Sequence, residues 1–381
     1  MRLAFNGQRF AGQRLGVGRY LEYLLRHWAR MLTPEESVSV FVRQPLEADL
    51  VALHPRIVPV LLESAMSGLP WENLRLRGPA SRHDVLFCPA YTAPVGYQGR
   101  LVVATHSVNE AQPGAHGWRY RQTYSRLHRH SARIADMVIV PAESTQDEVV
   151  RHYGVSRDRI AVVPQGADDA FQPVTDLAAL RAVRQRYFGG DRPYLLFVGK
   201  CSERRNIPML LRAFAQLRQV EKIPHGLLLF GPNHEGLPLA QLCQELGISD
   251  DVVQTDGKVE RHTDLVPIYA GADLFVHPSE FEGWSMTTVE ALACGTAVVA
   301  SDRGGLGEVA RGHALMVEEP SVDAFADAIG RVLHDSAMRA DLQRRARERG
   351  KSLRWEVTTR ETLDVIRDVA AGSRSSEDSA A

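Results

Sequence analysis

The chain of 381 residues has few cysteines: Cys88, Cys201, Cys243 and Cys294. None forms a CxxC pair or joins histidines at the spacing of a zinc site, which argues against a disulfide scaffold and a zinc-binding module. We therefore expect reduced, mostly buried thiols in a cytosolic protein.

Long hydrophobic runs are also lacking. No apolar run reaches the roughly 18 residues of a membrane helix, and the first residues, MRLAFNGQRF, lack the apolar region of a signal peptide. The formal net charge of −1 gives no support for a nucleic-acid binder. These absences predict a cytoplasmic protein that does not span a membrane. Peripheral contact with a membrane surface remains compatible with the sequence.

Several catalytic and cofactor motifs are missing. The first strand is not followed by GxGxxG, no Walker lysine follows a glycine loop, and there is no Gly-x-Ser-x-Gly elbow. Asp168 and Asp169 are adjacent acids, which alone are a poor sign of a metal site. The sequence therefore predicts neither a metal nor a cofactor.

Short apolar runs alternate with amphipathic stretches, the pattern of β–α units around parallel sheets. In the first half, the predicted strands are 3–5, 38–42, 85–87, 101–104, 137–141 and 160–163, and the predicted helices are 18–31, 116–135 and 144–153. In the second half, the predicted strands are 194–198, 226–230, 252–254, 274–276, 297–300 and 314–317, and the predicted helices are 207–220, 237–246, 265–271, 287–294, 322–334 and 337–350.

This pattern predicts two α/β domains of Rossmann-like type, residues 1–170 and 193–352, joined by a polar linker at 171–192. The tail AGSRSSEDSAA at 371–381 is of low complexity and is expected to be disordered. Ligands of open α/β sheets bind at the carboxyl ends of the strands. Two such domains facing each other would form one deep cleft.

The most informative segment is HPSEFEGWSMTTVEALACGTAVVASDRGG, residues 277–305. A strand ends in it, a loop carries Glu282, and Ser285 can cap a helix that carries Glu290. The helix N-terminus suits a diphosphate, and the two carboxylates can accept hydrogen bonds from sugar hydroxyls. Taken alone, the segment is equally typical of an ordinary capped helix with a solvated face, which would bind no ligand.

Two other strand ends carry polar residues. The loop in FVGKCSERRN holds Lys200, Arg204 and Arg205, which could neutralise a diphosphate leaving group or simply form a basic surface. His106 follows a buried strand in VVATHS, a position that points toward a cleft, although a lone histidine is more often structural. The other histidines, including His128, are interpreted as surface residues.

Together these segments resemble the family-4 retaining glycosyltransferases, which have the GT-B fold of two Rossmann-like domains. The most specific element is Glu-x7-Glu, from Glu282 to Glu290. Further matching pieces occur in the right order along nearly the whole chain: GVGRYLEYLL, ATHS, STQDEVVRHYGVSRDRIAVVPQGAD, FVGKCSERRN, GADLFVHPS, GGLGEVARGHALMVEE and LRWEVTTRETLDVI.

The resemblance implies roles for individual residues. Lys200 and Arg205 would hold the donor diphosphate, with the two residue types exchanged relative to most family members. Glu282 would bind the donor hexose and Glu290 the ribose, while His106 would lie beside the transferred sugar. The implied catalytic residues are His106, Lys200, Arg205 and Glu282. The implied donor-binding residues are Gly16, Lys200, Arg205, Val259, Glu282, Gly283, Trp284, Ser285, Met286, Thr287 and Glu290.

The resemblance also implies the reaction. A hexose of mannose or glucose type would pass from a GDP- or UDP-linked donor to a hydroxyl acceptor, with retention and without a metal. The N-terminal domain would bind the acceptor, a glycan, a lipid-linked molecule or a small molecule, and the C-terminal domain the donor. A helix over 353–370 would cross back to the N-terminal domain. The alternatives are a sugar-nucleotide epimerase of the same fold and a non-catalytic nucleotide-sugar-binding protein.

The basic stretch RYRQTYSRLHRHSAR, residues 119–133, contains no acid. Helical spacing brings Arg119, Arg126, Arg129 and Arg133 broadly to one side of the predicted helix, with Arg121 elsewhere. The stretch is interpreted either as a solvated face or as a surface for peripheral contact with the inner face of an anionic membrane.

Overall fold

The computed structural model describes residues 1–11, 16–111 and 118–372, with residues 118–122 described by their backbone alone. The chain divides into two compact units. One comprises Met1–Gln165 and the C-terminal segment that starts at Trp355, and the other comprises Gly166–Arg354. The expected tail at 371–381 lies, from residue 373 onward, outside the described residues.

The described residues form two sheets. The strands of the first are β1 (Arg2–Asn6), β2 (Ser37–Val42), β3 (Ile57–Leu61), β4 (Val85–Cys88), β5 (Leu101–Ala104), β6 (Met137–Val140) and β7 (Ile160–Val162). The strands of the second are β8 (Tyr194–Val198), β9 (Gly226–Phe230), β10 (Val252–Thr255), β11 (Leu274–His277), β12 (Val298–Ser301) and β13 (Leu315–Val317).

Both sheets are wholly parallel among the described residues. Their orders are β3-β2-β1-β4-β5-β6-β7 and β10-β9-β8-β11-β12-β13. In each, the chain moves outward from a central strand on one side and then returns to the other side, between β1 and β4 or between β8 and β11. This arrangement confirms the prediction of two Rossmann-like α/β domains.

Helices connect the strands. They are α1 (Val17–Trp28), α2 (Ala48–Val51), α3 (Leu69–Trp71), α4 (Arg77–Ala80), α5 (Trp118–Ile134), α6 (Glu143–Glu148), α7 (Leu177–Phe188), α8 (Ile207–Gln216), α9 (Leu239–Glu245), α10 (Val266–Ala270), α11 (Met286–Ala293), α12 (Gly304–Ala310), α13 (Val322–His334), α14 (Ser336–Ser352) and α15 (Trp355–Ala371). Because helices cover both faces of a parallel sheet, central strands such as β8 and β11 are buried along their whole length.

The C-terminal helix α15 belongs to the first unit and packs on α1. The ring of Trp355 stacks on Tyr23 with 4.7 Å between centroids. The indole of Trp28 donates a hydrogen bond to the carbonyl of Thr359 at 2.9 Å. Two guanidinium nitrogens of Arg367 lie 2.8 Å from the two carboxylate oxygens of Glu36. The helix is therefore fixed by both apolar and charged contacts.

Residues 171–192, expected to link the domains, instead contain α7 within the second unit. Asp176 caps this helix by accepting from the backbone N–H of Ala178 at 2.9 Å, and Gly189 ends it in a left-handed conformation. Only Val183 of α7 is buried. The helix lacks a strong apolar stripe, which explains why it looked like a linker.

Candidate functional site

The candidate site of the second unit lies at the carboxyl edge of its sheet. β8 and β11 are neighbours where the order of the strands reverses. Loops that leave two such strands form the ligand crevice of an open α/β sheet. The loop after β8 carries Lys200 and Arg205, and the loop after β11 carries Glu282, so the fold brings together residues that are 77 to 82 positions apart.

Close backbone packing shapes the loop after β8. Gly199 has a φ of +141°, and a Cβ there would come within 2.7 Å of the Arg205 guanidinium. Asn206, with a φ of +52°, donates a hydrogen bond from its amide to the carbonyl of Pro278 at 3.1 Å. The N–H of Glu280 donates to the carbonyl of Arg204 at 3.0 Å. These bonds tie the two loops together, so that the arginines face Glu282.

Glu282 is a buried carboxylate with several cationic and polar neighbours. Its Oε1 accepts a hydrogen bond from Nε of Arg205 at 3.0 Å and lies 3.2 Å from a guanidinium nitrogen of Arg204. The hydroxyl of Ser279 donates to the same oxygen at 3.2 Å. Burial favours a raised pKa for Glu282, but Arg205, His277 and Arg204 outweigh it and hold the pKa well below its ordinary value. The side chain is therefore an anion at neutral pH.

Glu290 lies on α11 and is 2% exposed. Nε2 of His262 lies 2.8 Å from Oε1, and the hydroxyl of Tyr269 donates to Oε2 at 2.8 Å. His262 in turn contacts the ring of Phe171, with 5.1 Å between centroids. His262 and Tyr269 thereby orient the Glu290 carboxylate, one at each of its oxygens.

Ser285 caps α11, as predicted: its hydroxyl accepts from the N–H of Thr288 at 3.4 Å. The same hydroxyl lies 3.0 Å from Nδ1 of His277 and 2.8 Å from the hydroxyl of Thr288. The Ser285 side chain is therefore engaged in a buried polar cluster. The backbone of Ser285, and not its hydroxyl, is therefore the part of this residue that can line a ligand.

The remaining donor-binding candidates of this unit differ in exposure. Lys200 is exposed, and its carbonyl accepts a hydrogen bond from Arg205 at 3.2 Å. Val259 is half-buried in the loop after β10, and Met286 and Thr287 are half-buried at the start of α11. Gly283 and Trp284 are buried. The structure thus leaves the Lys200 side chain exposed, whereas Arg205 is held by Glu282.

His106 lies in the first unit, after β5. Its Nε2 donates to the carbonyl of Pro89 at 2.8 Å, and the side-chain amide of Gln165 donates to its Nδ1 at 2.8 Å. The rings of Tyr20 and Tyr91 pack against it edge-on. Burial, with a smaller effect of Arg9, lowers the pKa of His106 to about 4 despite the Pro89 bond. The imidazole is therefore neutral at pH 7, with its proton on Nε2.

Gly16 is exposed and precedes α1 with a φ of +44°, a conformation that favours glycine. The rest of its glycine loop, residues 12–15, lies outside the described residues.

On α5, Arg126 and Arg129 are exposed, and Arg133 is also exposed but donates to the carbonyl of Tyr153 at 2.6 Å. The side chains of Arg119 and Arg121 lie outside the described residues.

The interpretation of His128 as a surface residue is wrong. It is 6% exposed, and its Nδ1 lies 3.0 Å from Oε1 of the buried Glu110, which also accepts from the hydroxyl of Tyr153. The same interpretation is wrong for His277, which is 1% exposed, and for His225, which is 8% exposed. His262 and His277 were also not predicted to belong to the site. His262 lies 28 residues before its partner Glu290 and His277 lies 5 residues before Glu282, and no local pattern marks either histidine. The four cysteines are free and buried, as predicted.

The comparisons with known proteins follow the same division of the chain. The family model described as Glycosyltransferase Family 4 matches residues 15–171, and the model described as Glycosyl transferases group 1 matches residues 181–349. The two matches together cover most of both units. The chain belongs to the family-4 glycosyltransferases of the GT-B fold. The family predicted from the sequence is thereby confirmed.

Relatives within this family cover part of the chain. A D-inositol 3-phosphate glycosyltransferase of Saccharomonospora viridis is 33% identical over 251 residues, which are 63% of this chain and 57% of that protein. An O-antigen chain mannosyltransferase B of Escherichia coli is 29% identical over 250 residues, 65% of each chain. The match therefore spans less than two thirds of the length of either relative.

Solved structures share the fold over nearly the whole chain. Sucrose-phosphate synthase of Thermosynechococcus elongatus has a TM-score of 0.78 at 22% identity, covering 97% of this chain and 99% of that one. HepE of Anabaena in complex with UDP-glucose has a TM-score of 0.78 at 18% identity, covering 97% of this chain and 100% of that one.

Within the described residues, no helix is both long and apolar enough to cross a bilayer. The described residues also contain no group of three metal-ligating side chains.

Proposed function

We propose that the protein transfers a hexose from a nucleotide-diphosphate sugar to a hydroxyl acceptor. The observation that carries this proposal is the meeting of Glu282 with Arg205 at the point where the order of the second sheet reverses. A fixed cation and a fixed carboxylate at one ligand crevice suit a ligand that has both phosphates and sugar hydroxyls.

In this proposal, Lys200 and Arg205 bind the diphosphate, and the backbone from Gly283 to Thr287 contributes N–H groups at the start of α11. Glu282 accepts hydrogen bonds from the hexose, and Glu290 from the ribose. The cations stabilise the negative charge that develops on the leaving nucleotide. A bound metal is not needed for that task, so transfer is proposed to be metal-independent.

We propose a retaining mechanism on one face of the sugar. The bond from the anomeric carbon to the phosphate oxygen breaks through an oxocarbenium-like transition state, and the acceptor oxygen forms the new bond. The acceptor proton passes to the leaving phosphate oxygen. His106 is proposed to contact the transferred sugar through its ring. Because both of its ring nitrogens are occupied and its pKa is about 4, it is not suited to act as the base.

The relatives support the substrate classes. They include an O-antigen chain mannosyltransferase, which favours a GDP- or UDP-linked donor of mannose or glucose type and a role in glycan, glycolipid or polysaccharide synthesis. The structure of HepE holds UDP-glucose, which supports a nucleotide-sugar donor on this fold. The acceptor is proposed to be a glycan, a lipid-linked molecule or a small molecule. Exposed Arg126 and Arg129 support peripheral contact with an anionic membrane.

The test is donor consumption. The protein is incubated with UDP-glucose or GDP-mannose, with and without a mixture of lipid-linked and free glycan acceptors. Both the released nucleotide and the identity of the remaining sugar nucleotide are measured. Release that depends on acceptor is expected. Conversion of the donor without an acceptor would favour an epimerase, and unchanged donor under all conditions would favour a non-catalytic binding protein.

A further inference from the structure

His277 is a buried histidine that the proposed reaction does not use. It ends β11 and is 1% exposed. The rings of Phe197 and Phe275 pack edge-on against it, with centroids at 5.8 and 5.9 Å. A polar ring enclosed in this way needs defined hydrogen-bond partners, because leaving a buried polar group unpaired is costly.

The Nδ1 side of His277 is satisfied by two hydroxyls. Nδ1 lies 3.0 Å from the oxygen of Ser285 and 2.9 Å from that of Thr288. The two oxygens are 2.8 Å apart. Three atoms so placed can form a short chain in which one hydroxyl donates to the other and the second donates to Nδ1.

The Nε2 side of His277 faces Glu282. Nε2 lies 3.7 Å from Oε1 of Glu282 and has no hydrogen-bond partner among the described residues. A lone pair on Nε2 would be repelled by the carboxylate, whereas an N–H is attracted to it. Burial lowers the pKa of His277, so the ring is neutral at pH 7 and carries one proton. The Glu282 side of the ring therefore favours the proton on Nε2, and the two hydroxyls can accommodate that tautomer by donating to Nδ1.

Arg205 has two roles that compete. It donates to Glu282 at 3.0 Å, and it is also the residue proposed to hold the donor diphosphate. When a phosphate draws the guanidinium toward itself, Oε1 of Glu282 loses its strongest donor. The N–H of His277 needs to approach by less than 1 Å to reach a hydrogen-bonding distance of about 2.9 Å.

We propose that His277 is a positioning residue for Glu282: its Nε2–H, fixed by the hydroxyls of Ser285 and Thr288, holds the carboxylate toward the donor sugar when Arg205 engages the diphosphate. The inference rests on the proposed function. It also gives a role to the Ser285 hydroxyl. The serine hydroxyl holds the histidine proton on the side that faces Glu282.

The test compares two replacements of His277. Gln can place an N–H near the position of Nε2, whereas Asn is too short to do so but keeps a polar group near Nδ1. Calorimetric titration measures the affinity of each variant for UDP, UDP-glucose, GDP and GDP-mannose. The ratio of nucleotide to nucleotide-sugar affinity isolates the contribution of the sugar.

His277→Asn is expected to weaken binding of the nucleotide sugar about tenfold with little change in nucleotide binding, and His277→Gln to restore most of it. Ser285→Gly and Thr288→Val should give smaller losses of the same kind. In a Glu282→Gln background, His277→Asn should have little further effect, because the two residues act through one contact. The control is His225→Asn, a buried histidine at the amino end of β9, which should leave the ratio unchanged.

Equal sugar preference in wild type, His277→Asn and His277→Gln would overturn the inference and leave the proposed function intact. Wild type that binds none of the four compounds would contradict the proposed function and this inference with it. Nitrogen-15 NMR of labelled histidine gives an independent readout without ligand. Protonation of His277 at Nε2 is expected, and protonation at Nδ1 would contradict the proposed orientation.

Discussion

Arg205→Ala removes the principal cationic partner of a buried carboxylate. In the wild type, Nε of Arg205 lies 3.0 Å from Oε1 of Glu282, and Arg204 and Ser279 are the other close donors. The substitution leaves Glu282 with those two. A hydrogen bond to a charged group contributes roughly 1.5–3 kcal/mol, so we expect the free energy of unfolding to fall by about that much at pH 7.

For a unit of about 190 residues, such a loss lowers the melting temperature by roughly 3–12 °C. The effect depends on pH. The folded pKa of Glu282 lies below its ordinary value of 4.5, so the ionised carboxylate adds stability above about pH 4.5 and this is lost as the pH falls below it. The difference between wild type and variant should be largest near pH 7 and should narrow below pH 4.5.

Differential scanning calorimetry from pH 3.5 to pH 8 measures both effects. Lys200→Ala is the matched control, since it removes the same charge from the same loop but from an exposed side chain. Its stability should change by less than about 0.5 kcal/mol, while both variants lose turnover. If the two variants melt alike, or if the Arg205→Ala difference is independent of pH, the ion pair does not hold Glu282 as described.

Four further predictions follow from the same contacts. Glu290→Ala should weaken binding of UDP or GDP about 10- to 150-fold, and equal affinities in calorimetry would remove Glu290 from the site. His106→Asn should flatten the pH dependence of stability. In the wild type, a folded pKa of about 4 for His106 lowers the free energy of unfolding by up to about 3 kcal/mol as the pH falls from 6.5 to 4. If the free energy of unfolding of wild type and variant changed with pH in parallel, the buried neutral ring would be contradicted. EDTA should leave donor consumption unchanged. A loss of activity in EDTA that added magnesium restores would reveal a required metal. Replacing Arg126 and Arg129 with glutamate should weaken binding to anionic vesicles by about 1 kcal/mol per residue, as measured by co-sedimentation at low salt. If the wild type does not bind such vesicles, this face of the helix is simply solvated.

Much of the fold was predictable because burial leaves a local pattern. Central strands such as β8 and β9 are continuous apolar runs, and Glu282 and Arg205 lie in loops that directly follow such strands. The strand β3 was missed, because two of its five residues are exposed and Pro59 interrupts it. That proline is tolerated since β3 is an edge strand, which only the pairing of the sheet reveals.

The supporting residues of the site were not predictable in the same way. His262 and Tyr269 hold Glu290 from other elements, and His277 faces Glu282 because the loop that follows β11 returns to the end of that strand. A lone histidine has no spacing that distinguishes a partner of a carboxylate from a surface residue. His128 shows the same error, since its pairing with Glu110 depends on tertiary structure alone.

The measurement that tests the central claim most directly is titration of nucleotides and nucleotide sugars into wild type and Glu282→Gln in the presence of EDTA. The account predicts one site per chain for either the uridine or the guanosine compounds, with Glu282→Gln weakening the nucleotide sugar but not the free nucleotide. No binding of any of these compounds to the wild type, or equal weakening of nucleotide and nucleotide sugar by Glu282→Gln, would contradict it.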